Sequence, residues 1–135
     1  MFRPVAYESL NSRQKENHNF QKVAARLADY GYNCLRLTDD WQGADFMACH
    51  VDGETILKVQ LKGRLTIDKK YLGKSIHIAF FHGQDCYIYD HDAFVLHLEQ
   101  HGLIGADSVT WHLAGGRSWP SPPSWAIKLL SEYRI

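Results

Sequence analysis

The dipeptide Asp52-Gly53 constrains this chain more than any other feature, because it sits between two β-rich runs, residues 44–51 and 54–62. Aspartate and glycine tolerate the positive φ of tight hairpin turns, so the pair predicts two antiparallel strands joined there. A two-residue loop sets Val51 against Glu54. Counting back along both strands then puts Asp45 opposite Gln60. Facing residues share a sheet face, with Cβ atoms ~4.5–5.5 Å apart. Alternation adds Lys58 and Lys62 to that face and sends Leu57, Val59 and Leu61 to the other, the expected core side. One sheet face is thus expected to gather an acid, an amide and two lysines.

The remaining pattern predicts an α/β fold, a central mixed sheet flanked by helices. Phe20, Val23, Ala24, Leu27 and Tyr30 recur at helical spacing and give a helix over residues 12–30, capped by Asn11 or Ser12 and stopped at Gly31. Residues 33–37 read as a short strand, 38–43 (TDDWQG) as a polar turn, 76–81 and 86–89 as strands, and 90–101 as a helix. Gly115-Gly116 and the run WPSPP at 119–123 exclude a helix or central strand there. A last helix follows, with Ala126, Leu129, Leu130 and Tyr133 on one face; Trp119 and Trp125 are expected to pack it down. At 135 residues the chain is the size of one domain. It is expected to span 1–135, with a core over about 12–101 and a C-terminal packing tail over about 102–135.

Composition narrows the function classes. Apolar residues make up 45% and aromatics 13%, which argues for a packed core rather than disorder. No apolar run approaches the ~18 residues of a membrane span, and MFRPVAYESL lacks the apolar region of a secretory signal. Three cysteines, Cys34, Cys49 and Cys86, are an odd number without Cys-x-x-Cys spacing. That excludes a disulfide framework and suits a cytoplasmic protein. Acids and bases balance at 15 each, so net charge names no partner. Their distribution does. Lys58, Lys62, Arg64, Lys69, Lys70 and Lys74 stand against Asp68 alone, a basic stretch that begins inside a strand and suits a phosphate backbone, where the alternative is a solvated face.

The constellation that can carry chemistry is Asp45, Gln60 and Lys62. Mg2+ prefers hard oxygen ligands and keeps several waters. Asp45, the Gln60 side-chain oxygen and the Leu61 carbonyl can supply the protein's share, while the metal and a lysine stabilise charge on a phosphate in reaction. Glu16 falls on the same helical stripe as Phe20, Val23 and Leu27. An acid there is either paired or cation-bound, or stands exposed near the helix start, where the helix dipole favours it.

With these residues in place the sequence resembles the PD-(D/E)xK nuclease superfamily, the restriction-endonuclease-like fold. The matching positions are Glu16 on the helix, Asp45 in GADF, and Gln60-Leu61-Lys62 in VQLK, within a stretch from Ser12 to Tyr89. The resemblance implies a Mg2+- (or Mn2+-) dependent endonuclease that hydrolyses DNA phosphodiester bonds. Asp45, Glu16, Gln60 and Leu61 would be its metal ligands, and Lys62 would lie near the nucleophilic water. Lys58, Arg64, Lys69 and Lys70 would hold phosphates. Cutting both strands with one site per small domain would need a homodimer or larger assembly. Two departures stand out: Ala44 replaces the usual proline, and Gln60 replaces the usual acid and brings no negative charge. A non-catalytic DNA-binding or interaction module on the same fold is therefore the alternative, and a small metal-dependent hydrolase of another substrate is the third reading.

Other candidates have plainer explanations beside them. His97 and His101 have i, i+4 spacing that can hold zinc, but no third ligand follows; exposed helix histidines are the default. His18 can join the site or stay at the surface. Cys49 can be a nucleophile or a buried strand cysteine. Asp39 and Asp40 can add metal oxygens or only form a polar turn. Trp41 can stack on a base or anchor the turn.

Overall fold

The computed structural model describes residues 1–104 and 109–135. Helix α1, Ser12–Ala28, starts at a capping box in which the Asn11 side chain accepts from the Gln14 N–H and Gln14 returns the bond to the Asn11 N–H. Strands β1 (Tyr32–Trp41), β2 (Ala44–His50) and β3 (Ile56–Leu61) follow. After β4 (Leu65–Asp68) and a 3-10 turn over Lys69–Tyr71 come β5 (Ile76–His82), β6 (Asp85–Asp90) and helix α2 (His91–Gln100). The chain ends with a short helix α3 (Val109–His112), β7 (Gly116–Trp119) and helix α4 (Ser124–Leu130).

Five strands form a mixed sheet in the order β1-β2-β3-β5-β6, with β3 and β5 parallel and the other pairs antiparallel. A second, two-stranded sheet pairs β4 with β7. Alternation along the strands separates two cores. Val23 and Leu27 of α1 pack with Phe46, Ala48, Val59, Ala79 and Cys86. On the other face Ile76, Ile78, Phe80, Tyr87 and Tyr89 pack with Leu65, Ile67, Phe94, Trp111, Trp119, Ala126 and Leu130. The register pairs Lys58 with Ile76 and Gln60 with Ile78. The polar residues of β3 therefore share a face with the second core, not with α1.

The hairpin register is the expected one: Phe46 faces Val59 and Cys49 faces Ile56. Its loop is longer than two residues. The strands part after His50, whose N–H donates to the Thr55 carbonyl at 2.9 Å. Asp52 closes the loop by accepting from the Glu54 and Thr55 N–H groups and the Thr55 hydroxyl. These bonds hold its carboxyl well below the usual carboxylate range.

Several expectations are corrected. The stretch read as a polar turn is mostly strand, since β1 runs to Trp41 with an irregular register after Arg36. The turn itself is Gln42-Gly43, both at positive φ (55° and 89°). Tyr30 lies past the helix end and is exposed. The basic stretch contains a further strand, β4, whose partner β7 comes from the C-terminal part. Residues read as a packing tail thus complete a sheet and bury Trp111, Trp119, Ala126 and Leu130; Trp119 and Trp125 meet edge to face, 6.0 Å apart. No helix among the described residues is long and apolar enough to cross a membrane.

Candidate functional site

The site forms where β2 begins and β3 ends. Tyr71, 3% exposed, lies against the turn before β2: a Cβ added to Gly43 would come within 3.0 Å of its ring. Gly43 also carries positive φ, so both space and conformation require glycine there. This packing fixes the first residues of β2. Asp45 follows, half-buried, and its Oδ2 accepts from the Leu61 N–H at 2.8 Å. One carboxylate oxygen is thereby committed to backbone, and the carboxylate is tied to the strand carrying Gln60 and Lys62.

Burial pushes the Asp45 carboxyl above its ordinary value. The Leu61 N–H opposes that rise, the neighbouring carboxylates of Asp40 and Glu16 add to it, and Lys62 pulls back. A partly desolvated acid beside two other acids and a lysine is an environment that a cation would relieve.

Gln60 is the most informative residue. It lies on the central strand of the sheet, and its Oε1 is buried with no hydrogen-bond partner. Its Nε2 donates to the Leu61 carbonyl at 3.4 Å, a long bond. An unsatisfied buried acceptor costs about 1–3 kcal/mol, so such a residue in a central strand needs a reason. A hard cation taking Oε1 would supply one. The donor set fits Mg2+ or Mn2+: a carboxylate, an amide oxygen and, through Leu61, a main-chain carbonyl, all oxygens. No cluster of three histidine, cysteine or acidic side chains suited to a metal occurs among the described residues.

Lys62 is half-buried, with its Nζ 5.4 Å from the centre of the Tyr71 ring. Lys70 approaches the same ring at 5.1 Å. Tyr71 thus supports the turn before Asp45 and two cations at once, and His91 meets its ring edge-on at 5.6 Å. His91 is fully buried; its Nε2 accepts from the Asp68 N–H at 3.0 Å, pinning the end of β4 to the start of α2. Burial holds this imidazole below its ordinary pKa against the pull of Asp92, Asp68 and Asp90. Neither Tyr71 nor His91 was marked by sequence reasoning. No motif spacing reveals them; only the fold brings residues 43, 62, 71 and 91 together.

The other expected residues divide. Glu16 is exposed and 3.9 Å from Arg36, not on a buried stripe, yet near enough to Asp45 to raise its carboxyl. Asp40 accepts from the Gly43 N–H at 2.8 Å and also lies near Asp45, while Asp39 is exposed on β1. Trp41 is 54% exposed, with the Lys58 Nζ 5.8 Å from its ring, so it anchors no core. Lys69 lies over Trp111, 5.3 Å from its ring centre, and Arg64 is exposed. His97 and His101 stack on each other at 4.1 Å. His18 packs beside Tyr7, 5.2 Å away, and Cys49 is half-buried opposite Ile56.

No family model matches the chain, and no curated protein sequence does. Among solved structures, a bacterial homing endonuclease, I-Ssp6803I, is similar, with a TM-score of 0.46 and 20% identity over 63% of this chain and 69% of that one. What the site can do is read from its own residues.

Proposed function

We propose that the chain is a metal-dependent endonuclease that hydrolyses DNA phosphodiester bonds. The observation that carries this reading is the buried, partnerless Oε1 of Gln60 on the strand whose backbone holds Asp45. The residues also follow the order of PD-(D/E)xK nucleases, an Asp and then x-Lys on the next strand, with Gln60 where that family usually has an acid. Asp45, Gln60 and the Leu61 carbonyl would hold Mg2+ or Mn2+, with Glu16 as an outer acid. Bound there, such an ion supplies Lewis-acid stabilisation of phosphate charge and a water of lowered pKa. Lys62 presents a cation beside Asp45 where negative charge develops on the phosphate, and the Tyr71 ring restrains it. Asp45 fixes the relation of β2 to β3 through Leu61. Lys58, Arg64, Lys69 and Lys70 would carry the DNA backbone, and a homodimer or larger assembly would bring two sites to two strands.

One observation favours a second reading, a DNA-binding module without catalysis. Gln60 is neutral, and its Nε2 donates to the Leu61 carbonyl, an oxygen that the nuclease reading assigns to the metal. The test is incubation with supercoiled plasmid, branched DNA and single strands, with and without Mg2+ or Mn2+. Metal-dependent nicking supports the nuclease. Metal-independent binding with no product from any DNA supports the second reading.

A further inference from the structure

A groove of about 730 Å³ runs along α1 on the sheet face opposite Gln60, and Lys62 and Gly63 form part of its lining. It therefore opens onto the end of β3 that carries the candidate catalytic lysine. Its floor is rigid. The Arg26 guanidinium donates to the Ile135 carbonyl at 2.9 Å and to the Gln84 carbonyl at 2.8 Å, and lies 5.9 Å from the centre of the Phe81 ring. Arg26 thus acts as a strut between helix, turn and C-terminus. Tyr7 lines the groove and is 37% exposed; the Asn19 amide donates to its hydroxyl at 2.9 Å, the His18 ring lies 5.2 Å from its ring, and the Lys15 Nζ lies 5.4 Å from the ring centre. Lys22 adds an exposed cation, and Glu8 is the one acid in the lining.

The volume lies within the ~300–1,000 Å³ that holds one small ligand. That is the size class of one unstacked nucleotide. An oriented aromatic ring, a cation and a neighbouring phosphate-reactive site are the parts that hold single-stranded nucleic acid: a stacking surface and a charge for the backbone.

We propose that this groove takes an unpaired nucleotide of the DNA strand beside the phosphate at Lys62, with its base against Tyr7 and its backbone on Lys22. The proposal rests on the nuclease reading and narrows its substrate to DNA with an unpaired stretch at the cut: a fork, flap, gap or single strand. A matched duplex must first unpair, whereas an unpaired base enters without that cost.

The test measures binding of the full chain, in chelator, to a fluorescent forked duplex and to the same duplex fully paired. The fork should bind at least tenfold tighter. Tyr7→Ala should lower fork affinity roughly tenfold, the usual loss for one stacked base. Tyr7→Phe should restore it, Lys22→Glu should weaken it, and none of the three should change matched-duplex affinity. Iododeoxyuridine at the unpaired position should crosslink to the peptide containing Tyr7. Equal affinity for both DNAs, or equal losses on both in Tyr7→Ala, overturns the groove proposal. Fork preference without metal-dependent cutting keeps the groove and removes the nuclease; cutting without fork preference does the reverse. Absence of any DNA binding removes both.

Discussion

The two faces of the β2–β3 hairpin are built from alternate residues of the same two strands, yet they obey different rules. Toward α1 stand Phe46, Ala48 and Val59, all fully buried, packed with Val23 and Leu27. Toward the other side stand Asp45, Lys58 and Gln60, half-buried, with an orphaned oxygen and a carboxyl raised by burial. The first face repays its burial in apolar contact; the second gives up stability for a set of oxygens and cations. Residues that violate local rules without compensation are where function is expected.

The largest effect should come from the α1 face. Phe46→Ala should destabilise folding by about 3–5 kcal/mol, seen as a lower midpoint in urea. Asp45→Asn, one residue away, should do the opposite. Its raised carboxyl means that the folded state disfavours the charged form, a penalty absent below the ordinary value of 3.8 and present at neutral pH. Removing the charge while keeping an acceptor for the Leu61 N–H should raise Tm at neutral pH by about 2–5 °C and abolish metal binding. If Asp45→Asn destabilises the chain as Phe46→Ala does, the two faces are not different in kind.

Next in size is Lys62→Ala. It should lower cleavage ~10²–10³-fold with Tm and DNA affinity nearly unchanged. Wild-type cleavage rates would remove Lys62 from the chemistry.

A smaller effect concerns His91, which meets the Tyr71 ring edge-on. Its folded-state pKa is depressed by burial, so the unfolded chain takes up the proton first. Stability should be full above the ordinary value of 6.5 and fall as pH drops from there toward the depressed folded value; half-buried His77 contributes with the same sign. Thermal unfolding across this range should show the loss, and His91→Gln should flatten it while lowering Tm at neutral pH. An unchanged pH profile in that variant would mean that His91 is not the group titrating.

The smallest effect is expected at the surface. Replacing Lys69 and Lys70 with alanine should reduce the salt slope of DNA binding by about two units, equally for all sequences. An unchanged slope would make the basic stretch a solvated face.

What the sequence made legible follows the same division. The hairpin register could be read because strand alternation and the Asp-Gly turn are local, and the register held even though the loop proved to be four residues, Val51 to Glu54. The start of α1 was equally local, written in Asn11 and Gln14. The pairing of β4 with β7 was not legible, since Leu65 meets Trp119 from 54 positions away and Gly115-Gly116 with WPSPP reads as irregular. Thr38 to Trp41 looked like a turn because its residues are polar, yet an edge strand with one exposed side tolerates them. The roles of Tyr71 and His91 depend on that non-local sheet and were invisible for the same reason.

The proposed sharing of a divalent cation by Gln60 and Asp45 is tested most directly by calorimetric titration of Mg2+ into wild type, Gln60→Ala and Gln60→Glu. Gln60→Ala should bind several-fold more weakly, because the buried oxygen is gone. Gln60→Glu should bind more tightly, because a second negative charge faces the ion. Identical binding by all three, or none by any, would contradict the account.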